Sequence, residues 1–124
     1  MSILAKVNEN VVPSLVSIRG HLGAQKEFMG SYQLLRELVN NEYIYKNIEK
    51  NYFFYYSGAD NVWLFCYNKN DIGKGLGGIR VSLQESEDTN DNILKFDCYT
   101  YSNEWIHDPD IHLIILEDPP IIPE

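Results

Sequence analysis

The sequence predicts an all-β fold: an antiparallel meander that forms a small barrel or sandwich, with at most one short helix. Ten of the 16 aromatic residues fall between Tyr43 and Tyr67, and aromatic side chains suit a pleated, half-buried surface. Turn-forming residues interrupt this window at 49–51 and 57–61, and such short breaks join antiparallel strands. A chain of 124 residues is long enough for one core and too short for two.

The chain divides into three parts by composition. We expect a weakly patterned lead segment over 1–12, a single β domain over 13–117 and a proline-rich tail over 118–124. Proline lacks a backbone N–H and cannot join a sheet interior, so the tail is expected at the surface or on the way to another domain.

The first strand is predicted at Leu15–Ile18, after Pro13 and ending at Gly20. The loop from His21 to Gly30 comes next, with Phe28 and Met29 as its expected anchor in the core.

The segment over 31–39 fits two secondary structures. Its four leucine and valine residues have helical spacing, and Ser31 could cap a helix. As a strand it would pair with 43–48 through Asn40 and Asn41, because asparagine tolerates the positive φ of a tight hairpin. Periodicity alone leaves both alternatives open.

The two aromatic strands at the centre of the meander are apolar on both faces. In 52–56, Phe53 and Tyr55 alternate with three other aromatic residues, and 62–67 alternates in the same way. A strand of this kind is central, or one of its faces lines a groove. We expect part of one aromatic face to be exposed.

Three more strands are predicted after a glycine-rich loop over 68–78. Strands at 79–83 and 93–100 flank an acidic loop at 85–92, which we expect to be solvated, and 111–116 forms the last strand.

The net charge of −8 is concentrated in the second half of the chain. Residues 57–124 carry four Lys or Arg against 13 Asp or Glu. This acidity disfavours phosphate backbones and anionic membrane surfaces, so we expect no nucleic-acid partner and no direct membrane insertion.

Cys66 and Cys98 are too few for a disulfide framework, and we expect buried free thiols. His21, His107 and His112 could pair with a cysteine, but no local signature indicates it. The N-terminal apolar stretch of four residues is shorter than a secretory signal needs, so we expect a cytoplasmic protein.

The sequence Gly73-Lys74-Gly75-Leu76-Gly77-Gly78 matches the G-x-G-x-x-G pattern of dinucleotide sites. That mechanism needs a helix after the loop, and a strand is predicted there instead. We therefore interpret the glycines as a flexible connection between strands and expect no cofactor.

Two segments contain metal-ligand types without a complete pattern. Asp108, Asp110 and His112 are weak metal candidates, because Asp-Pro-Asp is also ordinary turn chemistry. The acidic loop lacks the spacing of a calcium-binding loop. No spacing of serine, cysteine and histidine indicates a nucleophile with its base, so catalysis is not expected.

The aromatic residues carry the functional prediction, a non-catalytic protein-interaction or scaffolding module of unspecified oligomeric state. Tyrosine and tryptophan dominate interaction hot spots and sugar platforms alike, and a place in the core is the other interpretation of the same residues. A carbohydrate-binding module is the alternative, and a small enzyme or enzyme subunit with a site assembled only in space is the second. The candidate partner-binding residues are Tyr52, Tyr55, Trp63, Tyr101 and Trp105.

Spaced residues across 15–116 resemble a small β-rich module of eukaryotic, especially protist and algal, multidomain proteins. The matching elements are Ile18-Arg19-Gly20, Gly30-x-Tyr32, Asn41-x-x-Ile44-Tyr45-Lys46, Tyr52-Phe53-x-Tyr55-Tyr56, Trp63, the glycine-rich loop and Trp105-x-x-Asp108-x-x-Ile111-x-Leu113. The module typically has Asn-Gly in its first hairpin and a tryptophan before the final one, where this chain has Asn40-Asn41 and Tyr99. The resemblance favours a strand over 31–39 and implies an accessory module that recognises a partner.

Overall fold

The computed structural model describes residue 4 and residues 12–58, 61–85 and 92–117 of the chain. The all-β prediction is confirmed: nine strands dominate the described residues, with two single-turn 3-10 helices at Lys26–Phe28 and Lys69–Asp71. The strands are β1 (Leu15–Arg19), β2 (Gly30–Val39), β3 (Glu42–Asn47), β4 (Phe53–Ser57), β5 (Val62–Cys66), β6 (Ile79–Glu85), β7 (Asn92–Tyr99), β8 (Trp105–His107) and β9 (His112–Glu117).

All nine strands form one antiparallel sheet in the order β8-β7-β6-β5-β4-β3-β2-β1-β9. The predicted meander is therefore confirmed from β1 to β7. The short strand β8 was not predicted, and β9 crosses to the far edge of the sheet, where it pairs with β1.

The sheet curls because its two edge strands are consecutive in the chain. Only residues 108–111 separate β8 from β9, and five residue steps span at most about 18 Å. A flat nine-stranded sheet would be about 38 Å wide at about 4.8 Å per strand. Every pairing is antiparallel, so β8 and β9 run in the same direction. They act as one interrupted strand that changes partner from β7 to β1, and we call residues 108–111 the closure link.

The concave face of the sheet holds the main core. Trp63 and Phe65 on β5 project into it, and Phe54 on β4 stacks on Phe65 with ring centroids 4.2 Å apart. Leu4 is also fully buried in this cluster. The other buried members are Val16, Ile18, Phe28, Tyr32, Tyr45, Ile79, Val81, Phe96, Cys98 and Ile111.

A second apolar cluster covers the convex face of the central strands. It contains Ile44, Phe53, Tyr55, Leu64 and Cys66, with Ile72 of the 68–78 loop packed against it. The loop lies over this face, since the Tyr55 hydroxyl donates to the Leu76 carbonyl at 2.8 Å. Of the two alternatives for these strands, the structure shows the central position. The expectation of a partly exposed aromatic face is wrong for Phe53, Tyr55 and Trp63, which are buried. Both cysteines are buried and free.

The ambiguous segment over 31–39 is a strand, as the resemblance favoured. The register of β2 against β3 shifts between Leu34 and Leu38, and this irregularity accounts for the helical spacing of its apolar residues. Leu34 packs on the main core, whereas Leu35 and Val39 pack on the second cluster.

The β2–β3 hairpin turns through two asparagines, as predicted. Asn40 and Asn41 have φ values of 51° and 66°, the left-handed pair that two-residue hairpins require. Replacing Asn41 with alanine should lower the free energy of unfolding by about 1–2 kcal/mol, because a Cβ disfavours this backbone region. Asn41→Gly, the residue that the resembling module carries, is the control and should be at least as stable as the native protein in urea denaturation.

The predicted boundaries of the domain enclose the strands. The first strand begins at Leu15 and the last ends at Glu117. The tail over 118–124, the acidic stretch 86–91 and all of the lead segment over 1–11 except Leu4 lie outside the described residues, so those predictions stay predictions.

Candidate functional site

Strand direction places a defined set of loops at one end of the sheet. Since β1, β3, β5 and β7 run together, their C-terminal ends share an end with residues 20–29, 48–52 and 100–104. We call this the upper end. The Asn40–Asn41 turn lies at the opposite end.

Two tyrosines are held in place at the upper end. Tyr52 and Tyr67 meet edge to face with centroids 5.3 Å apart, and both contact the buried ring of Phe28. The Tyr67 hydroxyl donates to Gln25 Oε1 at 2.6 Å, and the Tyr52 hydroxyl donates to Glu27 Oε2 at 3.1 Å. Their rings are therefore fixed before any partner arrives.

Exposed apolar side chains extend this surface. Tyr101 and Leu22 are each 91% exposed, and Ile48 is also exposed. The Gln25 side chain accepts from the Tyr67 hydroxyl and donates to the Tyr99 carbonyl at 2.8 Å, so the 100–104 loop that carries Tyr101 begins near Tyr67. We call Leu22, Ile48, Tyr52, Tyr67 and Tyr101 the tyrosine surface.

The five predicted partner-binding residues do not lie on one surface of the structure. Tyr52 and Tyr101 belong to the tyrosine surface, whereas Tyr55 and Trp63 are buried in the second and main clusters. Trp105 is half-buried on the convex face between Tyr99 and the Arg80 guanidinium, which lies 4.7 Å from its ring centroid. Tyr67 and Leu22 were not among the predicted partner-binding residues. Whether a side chain is exposed depends on which face of the sheet the loops cover, and no local sequence pattern predicts this.

A second polar feature lies where the sheet closes. His21 follows β1, Cys98 lies on β7 and Asp108 begins the closure link, and one ligand-type atom from each falls within 4.8 Å of the others. The His21 Nδ1 atom is 2.6 Å from Asp108 Oδ2 and 3.6 Å from Cys98 Sγ. We call these three residues the closure cluster.

The hydrogen bonds of the closure cluster fix the histidine tautomer. The Gln25 backbone N–H donates to His21 Nε2 at 3.1 Å, so Nε2 is the unprotonated nitrogen. In the neutral ring Nδ1 must then carry the proton and donate it to Asp108. The arrangement ties β1, the 21–28 segment and the closure link together.

This tautomer does not suit nucleophilic catalysis. A triad places the carboxylate and the nucleophile on opposite ring nitrogens, but here both meet Nδ1. Burial, then the negative charges of Asp108 and Asp97, raises the pKa of Cys98 to about 12, so the thiol is protonated at neutral pH. The cysteine therefore acts as a core residue.

The same tautomer disfavours a metal ion. A metal on Nδ1 needs the ring proton on Nε2, where it would face the Gln25 N–H donor. Of the weak candidates only Asp108 belongs to the cluster: Asp110 donates its backbone N–H to Asp108 Oδ1, and His112 is exposed with Nδ1 3.2 Å from the Asp110 carbonyl. Hydrogen bonding within the closure is the role that this geometry supports.

Asp108 should make stability fall in acid. Burial opposes ionisation of this carboxyl, but the His21 hydrogen bond, the Asp110 N–H and the charges of His21 and His107 outweigh it and hold its pKa below the ordinary value. A depressed carboxyl pKa contributes stability that is present above about pH 4 and is lost as pH falls through the folded-state value.

The isosteric change Asp108→Asn isolates this effect. Unfolding measured by urea at several pH values should show a steeper loss of stability below about pH 4 in the native protein than in the variant. Parallel curves for the two proteins would contradict the assignment.

The glycine-rich segment performs a packing role at its far end. A Cβ on Gly77 would lie 2.6 Å from the Phe65 carbonyl oxygen, and one on Gly78 would lie 2.8 Å from the Phe28 ring. Strand β6 begins directly afterwards at Ile79, as predicted. The glycines permit close backbone approach, and strand β6 stands where a dinucleotide site would need a helix.

No family model matches the sequence, and neither a curated protein nor a solved structure matches it significantly. The fold and these two sites describe a protein whose nine strands form a curled antiparallel sheet, with an aromatic surface at one end and a hydrogen-bonded closure between the edge strands. Within the described residues, no helix has the length and apolar character needed to cross a bilayer.

Proposed function

We propose that the chain is a non-catalytic protein-interaction module whose partner binds the tyrosine surface at the upper end. The observation that carries the proposal is the pair of large apolar side chains, Tyr101 and Leu22, each 91% exposed on loops at the same end of the sheet as two pre-positioned tyrosines. Exposed apolar residues that cluster mark interaction sites more often than scattered ones do.

The energetics of the surface favour a protein partner. Tyrosine buries a large area with only two side-chain torsions to fix, so it is enriched among hot-spot residues. Tyr52 and Tyr67 are already ordered by Glu27 and Gln25, which lowers the entropy lost on binding.

The closure cluster supports a non-catalytic role, and the two cysteines support an intracellular location. His21 is committed to the Asp108 hydrogen bond, and burial, followed by the charge of Asp71, raises the pKa of Cys66 to about 12. Two buried free thiols fit a reducing compartment, which supports the cytoplasmic location that we propose.

A carbohydrate ligand is the second candidate, because polar groups flank both tyrosines. The Tyr52 hydroxyl is bonded to the Glu27 carboxylate, and the Tyr67 hydroxyl is bonded to the Gln25 amide. Aromatic faces with flanking polar groups are also used by sugar sites. A glycan array distinguishes the two, because a protein-interaction module should give no specific hits.

The test of the proposal compares two variants that remove exposed apolar side chains. The double variant Tyr101→Ala/Leu22→Ala should weaken binding to a partner identified from native extract at least about tenfold, since a hot-spot residue contributes about 2 kcal/mol or more. The matched control is Leu38→Ala, which removes an exposed leucine at the opposite end. Equal loss in both variants, or unchanged binding in the double variant, would rule the tyrosine surface out.

A further inference from the structure

A pocket of about 240 Å³ lies beside the tyrosine surface, between the end of β1, the start of β2 and the loop from β3 to β4. Arg19, Ser31, Ile48 and Lys50 are among the residues that line it, and we call it the basic pocket. Ile48 also belongs to the tyrosine surface, and the Lys50 Nζ atom lies 5.5 Å from the Tyr52 ring centroid. A partner that covers the tyrosine surface therefore also reaches the basic pocket.

Hydrogen bonds fix the loop that forms one wall of the basic pocket. The buried Asn47 side chain accepts the backbone N–H groups of Glu49 and Lys50 through Oδ1, at 2.8 and 3.0 Å. The Lys46 ammonium donates to the carbonyls of Asn47 and Lys50, at 3.0 and 3.3 Å, so it lies against the same loop. The backbone that carries Lys50 is therefore ordered before a ligand arrives, which lowers the entropy lost on binding.

The charge around the basic pocket is opposite in sign to the charge of the chain. Arg19 and Lys50 line the pocket and Lys46 lies against its wall, whereas Glu49 is the one acidic residue in the described lining. Three positive charges less one negative charge leave +2, in a chain with a net charge of −8. The pocket therefore attracts an anion that the rest of the molecule repels.

The donor geometry of Arg19 suits a carboxylate. The residue is exposed, and its Nε donates to the hydroxyl oxygen of the buried Ser17 at 2.6 Å, which orients the guanidinium plane. The two Nη atoms form the end of this planar fork, where one carboxylate can accept from both at once. The Lys50 ammonium adds a positive charge without a fixed direction.

We propose that the basic pocket binds a carboxylate of the protein partner, so that the partner segment carries an aspartate or glutamate beside its apolar contacts. The inference rests on the proposed function, since it names the chemistry of the partner that covers the tyrosine surface. The carboxylate accepts from the Arg19 guanidinium and lies near the Lys50 ammonium, while apolar side chains of the segment contact Ile48 and Tyr52. The acidic chain thus selects an acidic segment, against the general repulsion between the two.

The experiment uses the full chain and a labelled octapeptide of alternating leucine and glutamate, with binding measured by fluorescence anisotropy at low salt. The same peptide with glutamine or with lysine in place of glutamate is the charge control. The glutamate peptide should bind at least about tenfold more tightly than either control, and added salt should reduce the difference. The net charge of the chain alone predicts the reverse order, with the lysine peptide bound most tightly.

Paired variants locate the bound carboxylate. Arg19→Gln/Lys50→Gln should weaken binding of the glutamate peptide at least about tenfold. The matched control Arg36→Gln/Lys74→Gln removes one exposed arginine and one exposed lysine that do not line the pocket, and it should change binding by less than about twofold. Urea denaturation checks that both variants remain folded.

The outcomes separate this inference from the proposed function. Equal loss in the two paired variants, or a glutamate peptide that binds no better than the glutamine peptide, would overturn the carboxylate site. The tyrosine surface would still stand if Tyr101→Ala/Leu22→Ala weakened binding of a partner from native extract. If that variant bound the partner normally, the tyrosine surface itself would be excluded, and the inference would fall with it.

Discussion

Replacing Trp63 with alanine should lower the free energy of unfolding by about 3–5 kcal/mol, the usual cost of deleting a buried tryptophan side chain. The indole is 1% exposed and packs against Phe54 and Tyr56 with centroids 4.9 and 5.8 Å away. Its strand is central in the sheet, with β4 and β6 on either side. The surrounding rings cannot collapse into the space without breaking other contacts. Since domains of this size are stable by only about 5–15 kcal/mol, urea denaturation should show the midpoint fall sharply.

Tyr101→Ala is the matched control, because it removes an aromatic side chain that is 91% exposed. Its free energy of unfolding should change by less than about 0.5 kcal/mol. The opposite pattern, with a stable Trp63 variant that loses partner binding, would mean that Trp63 belongs to an interface and that the assignment of the main core is wrong.

The meander was predictable because the strands from β1 to β7 other than β2 each bury a short apolar pattern and end at a local turn signal. The strand β2 has apolar residues at helical spacing, and only the resemblance favoured a strand there. The Asn40–Asn41 hairpin is the clearest case, since two adjacent asparagines favour positive φ whatever surrounds them. Strand β8 was missed because three residues before Pro109 show no periodicity. The pairing of β9 with β1 joins residues almost 100 positions apart, and no local property selects that partner.

The candidate sites were less predictable because they depend on which surfaces the loops cover. Tyr55 was a reasonable interface candidate from the sequence. In the structure the 68–78 loop covers it, and its hydroxyl donates a hydrogen bond to the Leu76 carbonyl. The closure cluster joins residues 21, 98 and 108, which lie far apart in sequence and show no ligand spacing. From the sequence, any of the three histidines could pair with either cysteine, and no local signature singled out His21 or Cys98.

The closure also explains why a glycine follows β1. Gly20 has φ +104°, and a Cβ there would overlap the Asp110 carbonyl group and lie 3.3 Å from His112 Nδ1. The backbone of β1 thus passes directly against the closure link, immediately before His21 reaches Asp108. A side chain would have to push these two segments apart, and both are anchored: β9 pairs with β1 from Leu15 to Arg19, and Asp108 pairs with Phe96 of β7.

Gly20→Ala should therefore be strongly destabilising, and we expect it to lower the free energy of unfolding by about 3–5 kcal/mol. Positive φ alone costs an alanine about 1–2 kcal/mol. The rest of the expected loss comes from displacing the Asp110 backbone, which cannot move aside as a flexible side chain can. Gly58→Ala is the control, because among the described residues the nearest atoms to its Cβ belong to the Asn40 side chain, at 3.4 Å or more. This variant should change stability by less than about 0.5 kcal/mol.

Nuclear magnetic resonance separates a local adjustment from loss of the closure. If the two segments part, the Nδ1 proton that His21 donates to Asp108 should exchange faster in Gly20→Ala than in Gly58→Ala, under conditions where both proteins remain folded. Equal stability and equal exchange in the two glycine variants would mean that β1 and the closure link do not touch, and that the sheet stays open at this point. The curled fold and the closure cluster both require that contact.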